Sequence, residues 1–127
     1  MYLALALAAA TLLVLTGCVH KPPSHLRESG TSSQLKLSIQ PEVAYRRLVQ
    51  GARACHPTMA VDADFFPDNR NATVSVSVKT PSQVLTAFLA DVMPAEGGSL
   101  VKIYNLRGSE SRAEAVRKWL QEDFSSC

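Results

Sequence analysis

The segment ATVSVSVK at residues 72–79 decides the fold class, because it alternates apolar and hydroxyl-bearing side chains. In an extended chain its valines fall on one side, whereas Ser75 and Ser77 fall on the other. Proline, aspartate and asparagine at 67–69 supply a turn, so the segment is predicted to pair with the strand before that turn. Because the serines suit contact with water, we predict an antiparallel sheet that is covered on one face only.

A strand and a helix are predicted before this hairpin. Apolar and polar side chains alternate across residues 35–39, which predicts a short strand. Pro41 suits the first turn of a helix, and Pro57 prevents that helix from continuing far beyond Cys55. Alternation resumes across residues 58–66 and predicts the first strand of the hairpin.

The apolar segment SQVLTAFLADVM at residues 82–93 fits either a helix or a strand by spacing alone. Its β-branched and aromatic content favours a strand, and so does the turn sequence PAEGG at 94–98. The segment SLVKIYNL at 99–106 also alternates and requires a partner across that turn. We therefore predict a second hairpin here.

A second helix is predicted near the end of the chain. Ser111 and Glu114 have the spacing of a capping box, and the helix is expected to extend to about Phe124. Its buried stripe consists of Val116, Trp119, Leu120 and Phe124. The order β-α-β-β-β-β-α predicts one α+β domain at residues 34–127, with an antiparallel sheet of about five strands and two helices packed on one face.

The composition limits the size and class of the protein. A chain of 127 residues is expected to form at most one compact domain. Hydrophobic residues make up 46% and charged residues 19%, which is typical of a globular protein and not of a disordered one. The net charge of +2 is too small to indicate a nucleic-acid partner, and no nucleic-acid-binding motif is present.

The first residues of the chain have the character of a secretory signal. The apolar stretch covers about 14 residues, which is too short to cross a bilayer but typical of a signal-peptide core. No lysine or arginine precedes Lys21, so either the amino group alone supplies the usual positive charge or the true start lies upstream of Met1. We predict that residues 1–17 form a cleaved signal peptide.

The sequence Leu15-Thr16-Gly17-Cys18 resembles the lipobox of bacterial lipoproteins. In that family a lipid is attached to the cysteine thiol, the signal is cut just before the cysteine, and the new amino terminus is acylated. The resemblance implies that Cys18 is the lipidation site, with chains such as palmitate holding the protein at a membrane. By resemblance to the sorting pattern of enteric bacteria, Val19 in place of aspartate after the cysteine favours the outer membrane over the inner one. An ordinary signal peptide with a chance cysteine and a short buried helix are the alternatives.

The residues after the lipobox are predicted to form a tether. Residues 18–33 are rich in proline, serine and glycine and show no apolar periodicity, which is typical of a flexible linker. His20 and His25 lie in this segment, and their spacing in a flexible chain is poor for metal binding. We predict that both are solvated.

Three cysteines are present, and two remain if Cys18 carries the lipid. An exported chain reaches an oxidising compartment, so we predict a disulfide between Cys55 and Cys127. In the chain-entropy model a loop of this length contributes about 4 kcal/mol. Two free thiols are the alternative, and a metal site at Cys55 and His56 lacks a second pair of ligands.

No motif for catalysis was found in the sequence. It contains no Gly-x-Ser-x-Gly, no phosphate-binding loop and no His-Glu-x-x-His. Three aspartates are spaced somewhat like a calcium loop, but phenylalanines and a proline interrupt them, so we favour a solvated strand and turn: Asp62, Asp64 and Asp68. Three arginines of the first helix offer a basic stripe to an anionic partner, although the solvated side of a helix is the simpler interpretation: Arg46, Arg47 and Arg53.

The sequence therefore indicates a non-enzymatic accessory lipoprotein. The chain resembles the small, uncharacterised envelope lipoprotein families of Gram-negative bacteria, with a specific match only at residues 1–18, and its element order is similar to helix-grip or TBP-like modules. We expect it to face the periplasm from the outer membrane, without cofactor, metal or nucleic acid, and to bind another envelope protein. The alternative is a carrier of a small ligand, such as a lipid or peptidoglycan fragment, which requires a pocket.

Overall fold

The structure, a computed structural model, describes residues 20–21, 23–106, 111–125 and 127. The predicted signal peptide, the lipobox and Cys18 lie outside the described residues. The elements in chain order are β1 (His20–Lys21), α1 (Pro23–Ser29), β2 (Thr31–Leu37), α2 (Pro41–Cys55), β3 (Ala60–Phe66), β4 (Asn71–Thr80), β5 (Gln83–Ala95), β6 (Gly98–Asn105) and α3 (Ser111–Leu120).

Five strands form an antiparallel sheet in the order β2-β6-β5-β4-β3, and β1 pairs in parallel with β5. The hairpin of β3 and β4 and the hairpin of β5 and β6 are both present, as the alternating patterns predicted. Gly97 lies in the second turn with a φ of 78°, a conformation that glycine adopts without strain. The prediction of an α+β fold with an antiparallel sheet is confirmed.

The side chains of α2 and α3 share one core with the sheet. On α2 the small and branched residues at intervals of four are fully buried, namely Ala44, Leu48 and Ala52. On α3 the buried side chains are Val116, Trp119 and Leu120. They pack against alternate residues of three strands, among them Val74, Val76, Phe88, Ala90, Val92, Val101 and Ile103. The predicted stripe of α3 is thus found in the core, with Phe124 partly buried beside it.

The last helix ends earlier than predicted, at Leu120 instead of near Phe124. Glu122 adopts a φ of 62°, its N–H donates to the carbonyl oxygen of Trp119 at 2.9 Å, and the N–H of Asp123 donates to that of Lys118 at 2.9 Å. These two bonds form a Schellman motif, which ends a helix by turning one residue into the left-handed region. No glycine marks this helix end in the sequence, because glutamate occupies the position that glycine usually takes.

The turn between β3 and β4 is joined to the beginning of α2. Arg70 donates from Nε and Nη2 to the carboxylate of Glu42 at 2.7 and 2.9 Å, and from Nη2 to Oε1 of Gln40 at 2.9 Å. This pairing holds the pKa of Glu42 at about 2. Both side chains are well exposed, so the pair fixes the position of the turn more than it adds stability.

The prediction of a sheet with one solvated face is wrong at Ser75 and Ser77. Their relative exposures are 4% and 2%, and Ser77 Oγ donates to Thr86 Oγ1 at 3.2 Å. Asp91 shares this serine face, because its neighbours along β5 point into the core on the other side. α1 lies on the same face, since Arg27 binds the carboxylate of Asp91, with nitrogen–oxygen distances of 2.8 and 2.7 Å.

The prediction of a flexible tether at 18–33 is also wrong for its described residues, since His20–Lys21 forms β1 and pairs with β5. Pro23–Ser29 is helical, and strand pairing begins at Thr31, whose partner is Asn105, and ends at Leu37. Leu26 is 1% exposed and is the one buried apolar side chain that α1 contributes among its described residues. A helix of two turns with a single buried residue shows no periodicity in the sequence, because periodicity requires several such residues.

We expect Leu26→Ala to lower the free energy of unfolding by about 2–4 kcal/mol, because it leaves a cavity between α1 and the sheet. Denaturation in urea followed by circular dichroism measures this change. Glu28→Ala is the matched control, since Glu28 is exposed on the same helix and its loss is expected to change stability by less than about 0.5 kcal/mol. Equal effects of the two substitutions would contradict the packing of α1 described here.

Candidate functional site

A cavity of about 200 Å³ lies where the end of α2 meets the beginning of α3. Among the described residues its lining consists of His56, Phe88, Ser111, Arg112, Ala115, Trp119 and Cys127. These side chains come from the residue that ends α2, from β5, from α3 and from the end of the chain. The site is therefore assembled by the tertiary fold and not by any single segment.

The aromatic wall of the cavity is built around Trp119. Its indole is 2% exposed and stands edge to face with the rings of Phe88 and His56, each with a centroid distance of 6.1 Å. Gly51 on α2 permits this position, because a methyl group there would lie only 2.7 Å from Trp119 Cβ. The indole Nε1 is buried and has no hydrogen-bond partner among the described residues.

The polar wall of the cavity carries hydrogen-bond donors and a positive charge. Arg112 Nη1 is buried and, within the described part of the chain, has no acceptor. Burial lowers the pKa of the His56 imidazole, and the charge of Arg112 lowers it further, so His56 is neutral at pH 7. No acidic side chain is found in the described lining.

The lowered pKa of His56 predicts a stability that depends on pH. Because the unfolded chain takes up the proton at a higher pH than the folded chain, we expect stability to be fully present above about pH 6.5 and to fall as the pH drops below it. Thermal unfolding between pH 7.5 and 5 measures the change. His56→Gln is expected to flatten the profile in this window relative to the wild-type chain. If the unfolding temperature of His56→Gln changed with pH as steeply as that of the wild-type chain, the assignment of this pH dependence to His56 would be wrong.

The predicted pairing of Cys55 with Cys127 is confirmed. The two residues form a disulfide with a Cα–Cα distance of 5.3 Å, and the bond places Cys127 at the edge of the cavity. Cys55 is thus engaged in this bond and not in a metal site with His56. Among the described residues no group of three or more histidine, cysteine or acidic side chains could hold a metal ion.

The aspartates with calcium-like spacing lie on the surface of β3 and the turn after it. Asp62, Asp64 and Asp68 are exposed, and Asp62 Oδ2 lies 2.9 Å from Lys79 Nζ of the neighbouring strand. The histidines of the predicted tether are placed only in part. His25 Nε2 is 3.1 Å from Ser29 Oγ on α1, whereas the side chain of His20 lies outside the described residues.

The basic stripe predicted on α2 is reduced to two exposed residues, Arg46 and Arg53. Arg47 is three-quarters buried as a side chain and donates from Nη1 to the carbonyl oxygen of Leu120 at 2.6 Å. Its Nη2 lies 3.3 Å from Glu122 Oε1. A cation at this position also interacts favourably with the negative end of α3, so Arg47 holds the two helices together.

The sequence points to His56 only through a metal site with Cys55 that lacks further ligands, and to Ser111 only as a helix cap. It does not point to Arg112 or Trp119 as site residues. No local signal joins His56 with Arg112, because they are 56 positions apart in the chain. The chain matches no protein-family model, no curated protein and no solved structure. Within the described residues, no helix combines the length and the apolar character needed to cross a membrane.

Proposed function

We propose that this protein is a lipid-anchored accessory lipoprotein of the bacterial envelope, held in the outer membrane by Cys18 and facing the periplasm. The observation that carries the proposal is the lipobox sequence at residues 15–18. The disulfide supports it, because the bond engages two of the three cysteines and leaves Cys18 as the third. A disulfide is also typical of proteins that fold in an oxidising compartment.

The anchor would require no membrane-binding surface on the domain. Each buried methylene group contributes about 0.8 kcal/mol, so two or three acyl chains on one residue suffice for stable attachment. The domain is then free to contact a partner in the periplasm. This role is one of binding and not of catalysis.

The edge strands of the described sheet support a role in binding another envelope protein. β2 and β3 stand at the two ends of the strand order, and an edge strand can accept a strand from a partner. Phe66 closes β3 and is 49% exposed, so its ring is accessible to a partner. An exposed aromatic residue beside an open edge offers such a partner both backbone hydrogen bonds and apolar contact.

Metabolic labelling with palmitate and intact mass of the purified protein test the anchor. We expect the wild-type chain to incorporate label and to gain the mass of the lipid on a chain that begins at residue 18, whereas Cys18→Ala incorporates none. Cys127→Ser is the matched control, since it removes a cysteine without touching the lipobox and should keep the label. An unmodified Cys18 in the wild-type chain would refute the proposal.

Crosslinking in intact envelopes followed by pull-down tests the partner. We expect a protein captured by the anchored wild-type chain to be lost or strongly reduced with Phe66→Ser, while Val78→Ser on the neighbouring strand, also exposed at 46%, retains it. The absence of any captured protein with both the anchored chain and Cys18→Ala would count against an accessory binding role.

The second candidate is a lipoprotein that binds a small ligand, such as a lipid or peptidoglycan fragment, and the cavity beside Trp119 favours it. Ligand pockets usually measure about 300–1,000 Å³, and this cavity measures about 200 Å³. It can therefore enclose a very small molecule or one end of a larger one.

A further inference from the structure

We propose that the cavity between α2 and α3 binds a small monocarboxylate, with the carboxylate group at the guanidinium of Arg112 and a short apolar chain against Phe88 and Trp119. The inference rests on the second candidate function, ligand binding, and names its site and the chemical class of its ligand.

The charge of the cavity favours a single negative charge. Arg112 is the one charged side chain among the described lining residues, and His56 is held in its neutral form. A monocarboxylate would neutralise this charge, whereas a phosphate dianion would leave one negative charge without compensation. A guanidinium group also matches a carboxylate in shape, because both are planar and can form two parallel hydrogen bonds.

The unsatisfied donors of the cavity favour an acceptor. Arg112 Nη1 and Trp119 Nε1 are both buried N–H groups that have no acceptor among the described residues. A buried donor without a partner is unfavourable, and buried polar groups are nearly always paired. Arginine and tryptophan side chains are donors only, whereas a carboxylate is an acceptor only and offers about four lone-pair sites. Neither N–H group is open to the cavity as it stands. A carboxylate is therefore the complement of these donors once the Arg112 side chain turns its N–H groups toward the cavity.

The remaining lining limits the size of the ligand. Phe88 and Ala115 are apolar, and with the faces of Trp119 they favour a short hydrocarbon chain. One water occupies about 30 Å³ in the liquid, so a cavity of about 200 Å³ has room for about six or seven heavy atoms. Butyrate has a suitable size and serves as the probe.

The intrinsic fluorescence of the protein provides a direct measurement, because Trp119 is the single tryptophan of the chain. The full chain is titrated with butyrate and with butyramide, which has the same shape without the charge, in a buffer free of carboxylate and phosphate. We expect a saturable change with butyrate at a concentration at least tenfold below that required for butyramide. Phosphate is expected to bind more weakly than butyrate.

The variant Arg112→Met removes the charge and keeps most of the side-chain stem. We expect it to weaken butyrate binding at least tenfold and to change butyramide binding by less than about twofold. Arg117→Met is the matched control, because Arg117 lies on the same helix, is exposed and pairs with Glu114 at 3.4 Å. We expect Arg117→Met to keep the affinities for butyrate and for butyramide within about twofold of the wild-type values.

A second measurement locates the binding event. A negative charge in the cavity would raise the pKa of His56, which NMR of the imidazole detects as a shift of its titration midpoint when butyrate is present. A fluorescence change without a change at His56 would place the ligand elsewhere and overturn the inference.

The remaining outcomes separate the inference from the function on which it rests. Equal binding of butyrate and butyramide by the wild-type chain would retain ligand binding and overturn the carboxylate assignment, as would phosphate binding tighter than butyrate. The absence of a saturable change with every probe would overturn both. Because the wild-type titrations decide between these outcomes, the test holds even if Arg112→Met does not fold.

Discussion

Replacing Cys55 and Cys127 with serine is expected to lower the free energy of unfolding by about 4 kcal/mol. The bond joins residues separated by 72 positions, and in the chain-entropy model a loop of this length restricts the unfolded chain by about that amount. Domains of this size usually have about 5–15 kcal/mol of stability in total, so the loss is a large fraction. We expect the variant to unfold at a much lower concentration of urea.

The measurement is equilibrium unfolding in urea with and without reductant. The wild-type chain should lose about the same free energy in reductant as the double variant loses by substitution. Each single serine variant should match the double variant, because either one breaks the bond. Cys18→Ser is the matched control and should remain sensitive to reductant. A loss below about 1 kcal/mol would show that the bond adds little to the domain.

The same bond also positions one edge of the candidate site. Cys127 belongs to the cavity lining, and the residues after α3 are tied to the end of α2 through it. If the cavity binds butyrate, reduction of the Cys55–Cys127 disulfide should weaken that binding under conditions in which the reduced domain remains folded. The disulfide is therefore expected to affect both stability and the site.

Trp119→Ala is expected to lower the free energy of unfolding by about 3–5 kcal/mol. The indole is 2% exposed and contacts α2 at Gly51, the sheet at Phe88 and the end of α2 at His56. Removing a large aromatic side chain from a core leaves a cavity that the surrounding residues fill only partly. The loss of the shared contact between both helices and the sheet explains why the effect should be among the largest in the chain.

Trp119→Phe should cost less than the alanine variant for two reasons. It retains a ring in the core, and it removes an N–H group that is buried without an acceptor among the described residues. Gln121→Ala, on an exposed residue just beyond α3, is the control and should change stability by less than about 0.5 kcal/mol. Unfolding in urea measures all three. Equal losses for the alanine and phenylalanine variants would contradict the role assigned to the ring.

Elements with a strong local pattern were predicted close to their observed bounds. α2 spans Pro41–Cys55, as the two prolines around it indicated, and β3 and β4 form the hairpin that the alternating segments predicted. The segment at 82–93, which fitted both periods, is a strand because β4 and β6 pair with it on either side. The turn sequence at 94–98 therefore predicted this strand correctly, whereas hydrophobic spacing alone was compatible with a helix.

The errors have a common physical cause, which is contact with a distant segment. Ser75 and Ser77 have the polarity of a solvated face, yet both are buried in a sheet whose serine face also receives α1. α1 itself has no pattern of its own and is held by Leu26 and by the pair of Arg27 with Asp91, 64 positions away. Polarity and periodicity describe a segment alone, so they cannot show what packs against it.

By itself the sequence determined the two hairpins, the long helix, the disulfide partners and the lipobox on which the proposed anchor rests, because each depends on residues close together in the chain or on a count of cysteines. Only the tertiary structure decided that the serine face is buried, that Arg47 caps α3, and that His56, Arg112 and Trp119 surround one cavity. Each of these features requires contact between side chains of separate elements. Such contacts form only when α1, α2 and α3 pack against the sheet.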